Sequence, residues 1–142
     1  MNNTELIGRR MLVTAILMLG VSVAVAQEPA PVKILPPLEV KTVQLTIDYG
    51  DGSKRQFTAI PWKEKQTALE VLEAAAKHPR GVKFKHRGSG ATVLVTAIDD
   101  LSNQAGGNSW LYEVNGKLAD RSCGVYEVQA GDTLLWKFGN YR

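Results

Sequence analysis

The chain has 142 residues, 44% of them hydrophobic, and its 17 Lys and Arg against 14 Asp and Glu give a formal net charge of +3. This length predicts one globular domain with a modest core, and the charge is too small to require a polyanionic partner. Cys123 is the only cysteine, which excludes an internal disulfide. We expect Cys123 to be a small, partly buried residue rather than a reactive thiol, and an intermolecular disulfide remains open.

Residues 1–26 have the pattern of an export signal. Arg9 and Arg10 precede an apolar run that ends in Ala24-Val25-Ala26, the small-x-small pattern that signal peptidases cleave. The run from Met11 to Ala26 is shorter than the roughly 20 apolar residues of a membrane-spanning helix. We therefore expect cleavage, a periplasmic or secreted protein, and no transmembrane anchor afterwards; retention of the leader as an anchor is the alternative.

Residues 27–40 form a proline-rich stretch with prolines at 29, 31, 36 and 37. Proline removes backbone donors and favours extended chain over a packed element. This stretch therefore predicts a linker, followed by a folded domain over residues 41–142.

Alternation of apolar and polar residues over 42–49 predicts a first strand with one face in the core. A turn at Gly50-Asp51-Gly52 and a less regular strand over 54–60, closed by Pro61, complete an N-terminal hairpin. Thr67 and Glu70 have the spacing of a capping box, which predicts the start of a helix. Apolar residues continue at helical spacing until Pro79 ends the helix.

The rest of the chain predicts further strands. Residues 81–87 indicate a short edge strand and residues 92–98 a second strand, followed by a polar loop over 101–108. Residues 109–114 alternate and reach Asn115-Gly116, a strong signal for a tight reversal. The runs 123–128 and 133–138 complete the prediction, which is α+β: one helix on one mixed sheet.

The last part of the chain carries a set of short turn and core motifs. They are Gly88-Ser89-Gly90, Val95 to Asp99, Trp110-Leu111-Tyr112, Val114-Asn115-Gly116, Gly124-Val125-Tyr126, Gly131-Asp132 and Trp136. This set resembles the C-terminal β-grasp domain of transcobalamin and intrinsic factor, and more closely its exported bacterial relatives, mostly of unassigned function. The resemblance extends from Lys41 to Arg142 and implies a β-grasp (ubiquitin-like) fold, with a mixed sheet packed on a single helix.

We expect an exported, monomeric module that binds a small molecule or an envelope partner and is not an enzyme. The polar connections 99–110 and 115–124 are predicted to lie together at one end of the sheet, where binding surfaces usually occur. The candidate ligand-binding residues are Trp110, Tyr112, Asn103, Gln104, Asn108, Asn115 and Gly124.

Cobalamin is an alternative ligand that the resemblance implies. In transcobalamin-like domains the Trp at the position matching Trp110 lies where the domain faces the corrinoid. This chain lacks the large helical domain that supplies the other wall of that cleft, and small-molecule sites bury most of their ligand. No cofactor is therefore assigned, and cobalamin stays open.

Catalytic and metal sites are not expected. His78 and His86 lie far along the chain from Cys123, so the sequence does not indicate a nucleophile with an adjacent base and an orienting acid. The stretch from Asp48 to Gly52 lacks the alternate oxygen ligands and closing Glu of a calcium loop.

The segment from Lys77 to Arg87 holds five fixed positive charges and no acid. Its candidate polyanion-binding residues are Lys83, Lys85 and Arg87, with Phe84 between them. We favour a solvated, protected sheet edge here and expect no nucleic-acid partner. A structural or adhesion module of the cell envelope, tethered by the linker, is the remaining alternative.

Overall fold

The structure is a computed structural model and describes residue 20 and residues 22–140. Two units are distinguished, Met1–Pro36 and Pro37–Arg142. Most of the predicted export signal lies outside the described residues. The predicted linker, 27–40, contains no helix or strand, and its side chains are exposed. No helix among the described residues has both the length and the apolar character needed to cross a membrane.

The second unit is mostly sheet, with one α-helix among the described residues. A 3₁₀ turn (Gly90–Thr92) precedes the fourth strand. In chain order the elements are β1 (Thr42–Asp48), β2 (Lys54–Pro61), α1 (Ala68–Ala76), β3 (Phe84–Arg87), β4 (Leu94–Ile98), β5 (Leu101–Ser102), β6 (Ser109–Val114), β7 (Lys117–Leu118) and β8 (Thr133–Gly139).

The predicted N-terminal hairpin is confirmed, since β1 and β2 pair antiparallel. Phe57 and Ile60 of β2 are both buried although they are an odd number of residues apart. Leu45 pairs with Phe57 and Val43 with Ile60, so β2 carries one extra residue between the two pairs. This β-bulge turns both side chains toward the core and explains why the alternation of β2 is irregular in the sequence.

The predicted capping box starts α1. The Thr67 hydroxyl accepts from the backbone N–H of Glu70 at 3.3 Å, and the Glu70 carboxylate accepts from the N–H of Thr67 at 2.8 Å. Ala68, Val71, Leu72 and Ala75 are buried. The helix therefore presents one apolar stripe to the sheet, where it contacts β1 and β2.

A five-stranded sheet has the order β2-β1-β8-β6-β7. β1 and β8 pair parallel at its centre, and the other neighbours are antiparallel. Asn115 and Gly116 have φ of 52° and 79° and form the predicted turn between β6 and β7. The buried side chains of β6 and β8 lie on one face of the sheet: Trp110, Tyr112, Val114, Leu134, Trp136 and Phe138.

Two details of the predicted sheet are wrong. β3, β4 and β5 form a separate three-stranded sheet instead of joining a single mixed one. Residues 123–128 form a turn, not a strand, with one isolated bridge from Glu127 to Thr67. The physical reason is that this segment caps α1: the carbonyls of Tyr126 and Cys123 accept from the N–H groups of Ala68 (2.9 Å) and Leu69 (3.0 Å).

Candidate functional site

The exposed tips of the two predicted binding connections do not lie together. The tip at 104–108 precedes β6 and the tip at Asn115-Gly116 follows it, so the strand separates them. Six residues of strand span about 17–20 Å. The two exposed tips therefore lie at opposite ends of β6 and do not form one surface.

Trp110 and Tyr112 are core residues, 2% and 8% exposed. The indole N–H of Trp110 donates to the carbonyl of Leu101 at 2.8 Å, and the Tyr112 hydroxyl donates to the carbonyl of Arg121. Burial is the main cause that raises the pKa of Tyr112. Both aromatic rings thus support the fold and offer almost no surface to a ligand.

The polar side chains beside them also bond within the protein. Asn103 donates to the carbonyl of Val95 at 3.0 Å and accepts from the N–H of Trp110 at 2.8 Å. Asn115 donates to Asp132 at 2.9 Å and accepts from the N–H of Thr133 at 3.0 Å. These amides hold a loop and a turn in place.

The remaining predicted ligand-binding residues differ from one another. Gly124 packs closely against Val93 and the carbonyl of Gly90, so a side chain here would collide with backbone. Gln104 and Asn108 are exposed and close their loop through a 2.8 Å backbone hydrogen bond. Only Gln104 and Asn108 of the predicted set therefore present a side chain to solvent without a described internal role.

Tyr49 and Asp99 form a second polar cluster where β1 ends. The Tyr49 hydroxyl donates to Asp99, whose other carboxylate oxygen accepts from the N–H of Lys83 at 3.0 Å. Burial, followed by the hydrogen bond to Asp99, raises the pKa of Tyr49. The described residues contain no group of three or more His, Cys, Asp or Glu placed to hold a metal ion.

The basic segment 77–87 is divided between two places. Lys83, Lys85 and Arg87 are exposed, and Lys85 and Arg87 lie on β3, which pairs only with β4 among the described strands. The rings of Phe84 and His86 stack with centroids 6.0 Å apart. The predicted charged edge strand is confirmed, but its charges do not converge on a recess.

Other cations of the segment line what we call the basic groove, a recess between β2 and the chain that leaves α1. Its volume is about 820 Å³, and its basic lining residues are Arg55, Lys77, His78 and Arg80. No Asp or Glu lines it within the described part of the chain. The groove therefore gathers positive charge from two elements that are distant in sequence.

Hydrogen bonds fix the position of the basic group. The Arg55 guanidinium donates to the carbonyl of Gly81 at 3.1 Å and lies 4.0 Å from Asp99. The Nδ1 atom of His78 accepts from the N–H of Arg80 at 3.2 Å, and the His78 ring meets Phe57 edge-on, 5.6 Å between centroids.

The balance of charge in the groove is positive. Among the described acids none pairs with Lys77 or Arg80, while Arg55 is only partly neutralised by Asp99. The carbonyl end of α1 contributes about half a negative charge, which is smaller than the full positive charge of Lys77 or of Arg80. The groove is consequently suited to an anion.

Sequence reasoning missed Arg55. Its neighbours on β2 give no signal, because its position beside Gly81 depends on how the hairpin packs against the helix. Lys77 and Arg80 belong to the charged segment 77–87, whereas the polyanion-binding residues predicted from that segment are Lys83, Lys85 and Arg87.

Comparisons with known proteins bear on the fold. A family model described as "Domain of unknown function (DUF4430)" matches residues 65–140, more than half of the chain. No curated protein matches. Among solved structures, a proposed metal-binding protein from Ruminococcus gnavus ATCC 29149 is similar with a TM-score of 0.57 and 17% identity, over 71% of this chain and 99% of that one.

Proposed function

Because this chain belongs to the DUF4430 family, whose function is unknown, we propose a function from its geometry: an exported, non-catalytic module that binds an anionic ligand. The basic groove is the observation that carries this proposal. It combines a recess of about 820 Å³ with cations from β2 and from the chain after α1. Recesses of this size are typical of small-molecule sites.

We further propose that the fold is a β-grasp of the transcobalamin-like kind. The supporting observation is the sheet order β2-β1-β8-β6-β7, with the first and last strands parallel at the centre and α1 on one face. The N-terminal signal pattern supports the proposal of export to the periplasm or beyond.

Corrinoid binding through Trp110 is the weaker proposal. The indole is 2% exposed, so a corrinoid could stack on it only after β6 and its neighbours had rearranged. If cobalamin binds at all, we expect the affinity to be unchanged in Trp110→Phe. Titration calorimetry measures the affinity for cobalamin without relying on tryptophan fluorescence. A large loss of affinity in Trp110→Phe would favour the corrinoid function.

Two other functions receive no specific support. Metal binding, proposed for the Ruminococcus gnavus protein, is not supported by any group of three or more His, Cys, Asp or Glu among the described residues. An adhesion role would depend on the linker, for which the structure gives no contact that identifies a partner.

The test of anion binding compares two triple variants with equal loss of charge. One variant, R55Q/K77Q/R80Q, removes cations of the basic groove, and the control, K83Q/K85Q/R87Q, removes cations of β3 and the residue before it. Pyrophosphate is titrated into each full-length protein while amide resonances are recorded, at low and at near-physiological salt.

The expected result is a loss of affinity of at least tenfold in the groove variant and less than threefold in the control. Removal of three charges from either site lowers the long-range attraction equally, so only local contacts distinguish the variants. Equal losses, or a greater loss in the control, would contradict the groove and favour polyanion binding at Lys83, Lys85 and Arg87. Circular dichroism checks that both variants fold.

A further inference from the structure

We propose that the ligand of the basic groove is an amphipathic anion, with one acidic head at the Arg55 end and an uncharged, largely apolar body that lies along β2 toward Pro61. This inference rests on the anion-binding function proposed above and adds the chemical class of the ligand.

The groove is polarised along its length. Arg55 pairs with Ile47 and Pro61 with Thr42, so Arg55 and Pro61 lie at opposite ends of the hairpin. The hydrogen bond from Arg55 to Gly81 places the segment after α1 at the Arg55 end. Arg55 and the segment after α1 supply all the basic lining residues, so the acidic head of a ligand belongs at this end.

The other half of the groove is uncharged. From Thr58 to Pro61 the lining residues of β2 carry no charge, and Ala74 of the helix also lines the groove. The exposed lining residues in this half are Thr58, Ala59 and Pro61, whereas Ile60 is buried. A ligand body that rests here meets the uncharged side chains of Thr58, Ala59 and Pro61 and needs no charge of its own.

This polarity argues against a ligand that is charged throughout. β2 extends about 20 Å from Arg55 to Pro61 at the usual rise of a strand. A sulfated or phosphorylated polymer would place charges along this whole distance, and those beyond the Arg55 end would lie against uncharged surface. Such charges would lose hydration without gaining a counter-charge.

An added peptide strand is also disfavoured. β2 is an edge strand, but the bulge between Phe57 and Ile60 interrupts its regular ladder, and Pro61 has no N–H to donate. Bulges and prolines are devices that discourage pairing at sheet edges. Binding in the groove therefore depends on side chains, which suits a freely dissolved single-chain amphiphile better than a polypeptide.

The experiment is a titration of the full chain with inorganic phosphate and with butyl, hexyl and octyl phosphate, each below its micelle-forming concentration. Burying one methylene completely strengthens binding about fourfold. Because the groove is open on one side, we expect about twofold per methylene, which gives about sixteenfold from butyl to octyl phosphate.

Two variants locate the head and the body. Arg80→Gln is expected to weaken all four ligands by a similar factor. Ala59→Glu places a charge at an exposed position of the uncharged half, and we expect it to weaken octyl phosphate at least fivefold while phosphate changes less than twofold. Octyl glucoside tests whether the acidic head is needed, and it should bind at least tenfold more weakly than octyl phosphate.

The outcomes separate this inference from the function beneath it. If phosphate and pyrophosphate bind in the groove but affinity does not rise with chain length, the amphipathic ligand is wrong and anion binding stands. If no anion binds, both are wrong. Binding to vesicles of anionic phospholipid without binding to octyl phosphate would also overturn the inference, since it would identify a membrane surface as the partner.

Discussion

Two buried tryptophans provide a direct test of the hydrogen bonding in the core. Trp110 and Trp136 are each 2% exposed and lie on the same face of the sheet. The indole N–H of Trp110 donates to Leu101 at 2.8 Å, whereas that of Trp136 has no hydrogen-bond partner among the described residues. Replacement by Phe removes a similar part of the ring from both, so the two variants differ mainly in the fate of the N–H group.

The expected costs follow from these contacts. Truncating a buried Trp to Ala costs about 3–5 kcal/mol, and we assign about 1.5 kcal/mol to the smaller change to Phe. Trp110→Phe also leaves the Leu101 carbonyl without its donor, which adds about 1–3 kcal/mol. Trp136→Phe instead removes a buried, unpartnered N–H, which stabilises the folded protein by about 1–3 kcal/mol. We therefore expect a loss of about 3 kcal/mol for Trp110→Phe and less than about 1 kcal/mol for Trp136→Phe.

Equilibrium unfolding in urea, followed by far-ultraviolet circular dichroism, measures both free energies without relying on tryptophan fluorescence. Similar slopes with denaturant would show that the unfolded states are comparable. If Trp136→Phe costs as much as Trp110→Phe, the hydrogen-bond argument is refuted. An unchanged stability in Trp110→Phe would also remove the basis for treating Trp110 as a core residue.

The remaining expectations concern hydroxyl and thiol groups. Tyr49→Phe removes the hydrogen bond to Asp99 and should lower the free energy of unfolding in urea by about 1.5 kcal/mol. Tyr126→Phe, whose hydroxyl has no described partner, should lower it by less than about 0.5 kcal/mol, and equal losses would contradict this expectation. The pKa values of Tyr49 and Tyr112 are raised by burial, so the unfolded chain ionises first and the unfolding free energy should fall above pH 10, by at most about 1.4 kcal/mol per pH unit for each; a flat profile to pH 11.5 would refute it. Burial raises the pKa of Cys123 to about 11, so iodoacetamide at pH 8 should alkylate the native protein at least a hundredfold more slowly than the unfolded one, and rapid labelling would contradict its burial.

The parts of the fold that the sequence predicted correctly are those that depend on local pattern. The alternation in β1, β6 and β8 and the capping box of α1 each concern residues close together in the chain. Asn115-Gly116 defined its turn for the same reason, because both residues adopt the positive φ that this turn requires.

The parts that were missed depend on contacts between distant segments. Whether β3 joins one sheet or another is decided by its partner β4, and nothing within its own four residues encodes that choice. Residues 123–128 have a strand-like sequence, but their carbonyls are used by the first N–H groups of α1. Arg55 was overlooked because its role depends on Gly81.

The predicted ligand residues show how family resemblance and burial can diverge. Trp110 lies in the motif and Asn103 in the loop before it. The indole N–H of Trp110 donates to the carbonyl of Leu101, and the Asn103 side chain accepts from the backbone N–H of Trp110 and donates to the carbonyl of Val95. The motif marks a part of the chain that determines the fold. The groove that we propose as the binding site is lined by β2, which precedes the family match, and by residues 74–81, which lie within it.

The parallel pairing of β1 with β8 has a consequence for how the protein is made. The middle of the larger sheet joins residues 42–48 to residues 133–139, so a nascent chain that has emerged only as far as β7 leaves one edge of β1 without its partner strand. Such distant pairing slows folding and leaves an aggregation-prone intermediate while synthesis proceeds. The ribosome and any translocation machinery therefore handle a chain that stays unfolded until β8 is released, and a chaperone that shields residues 43–47 in the interval should raise the yield.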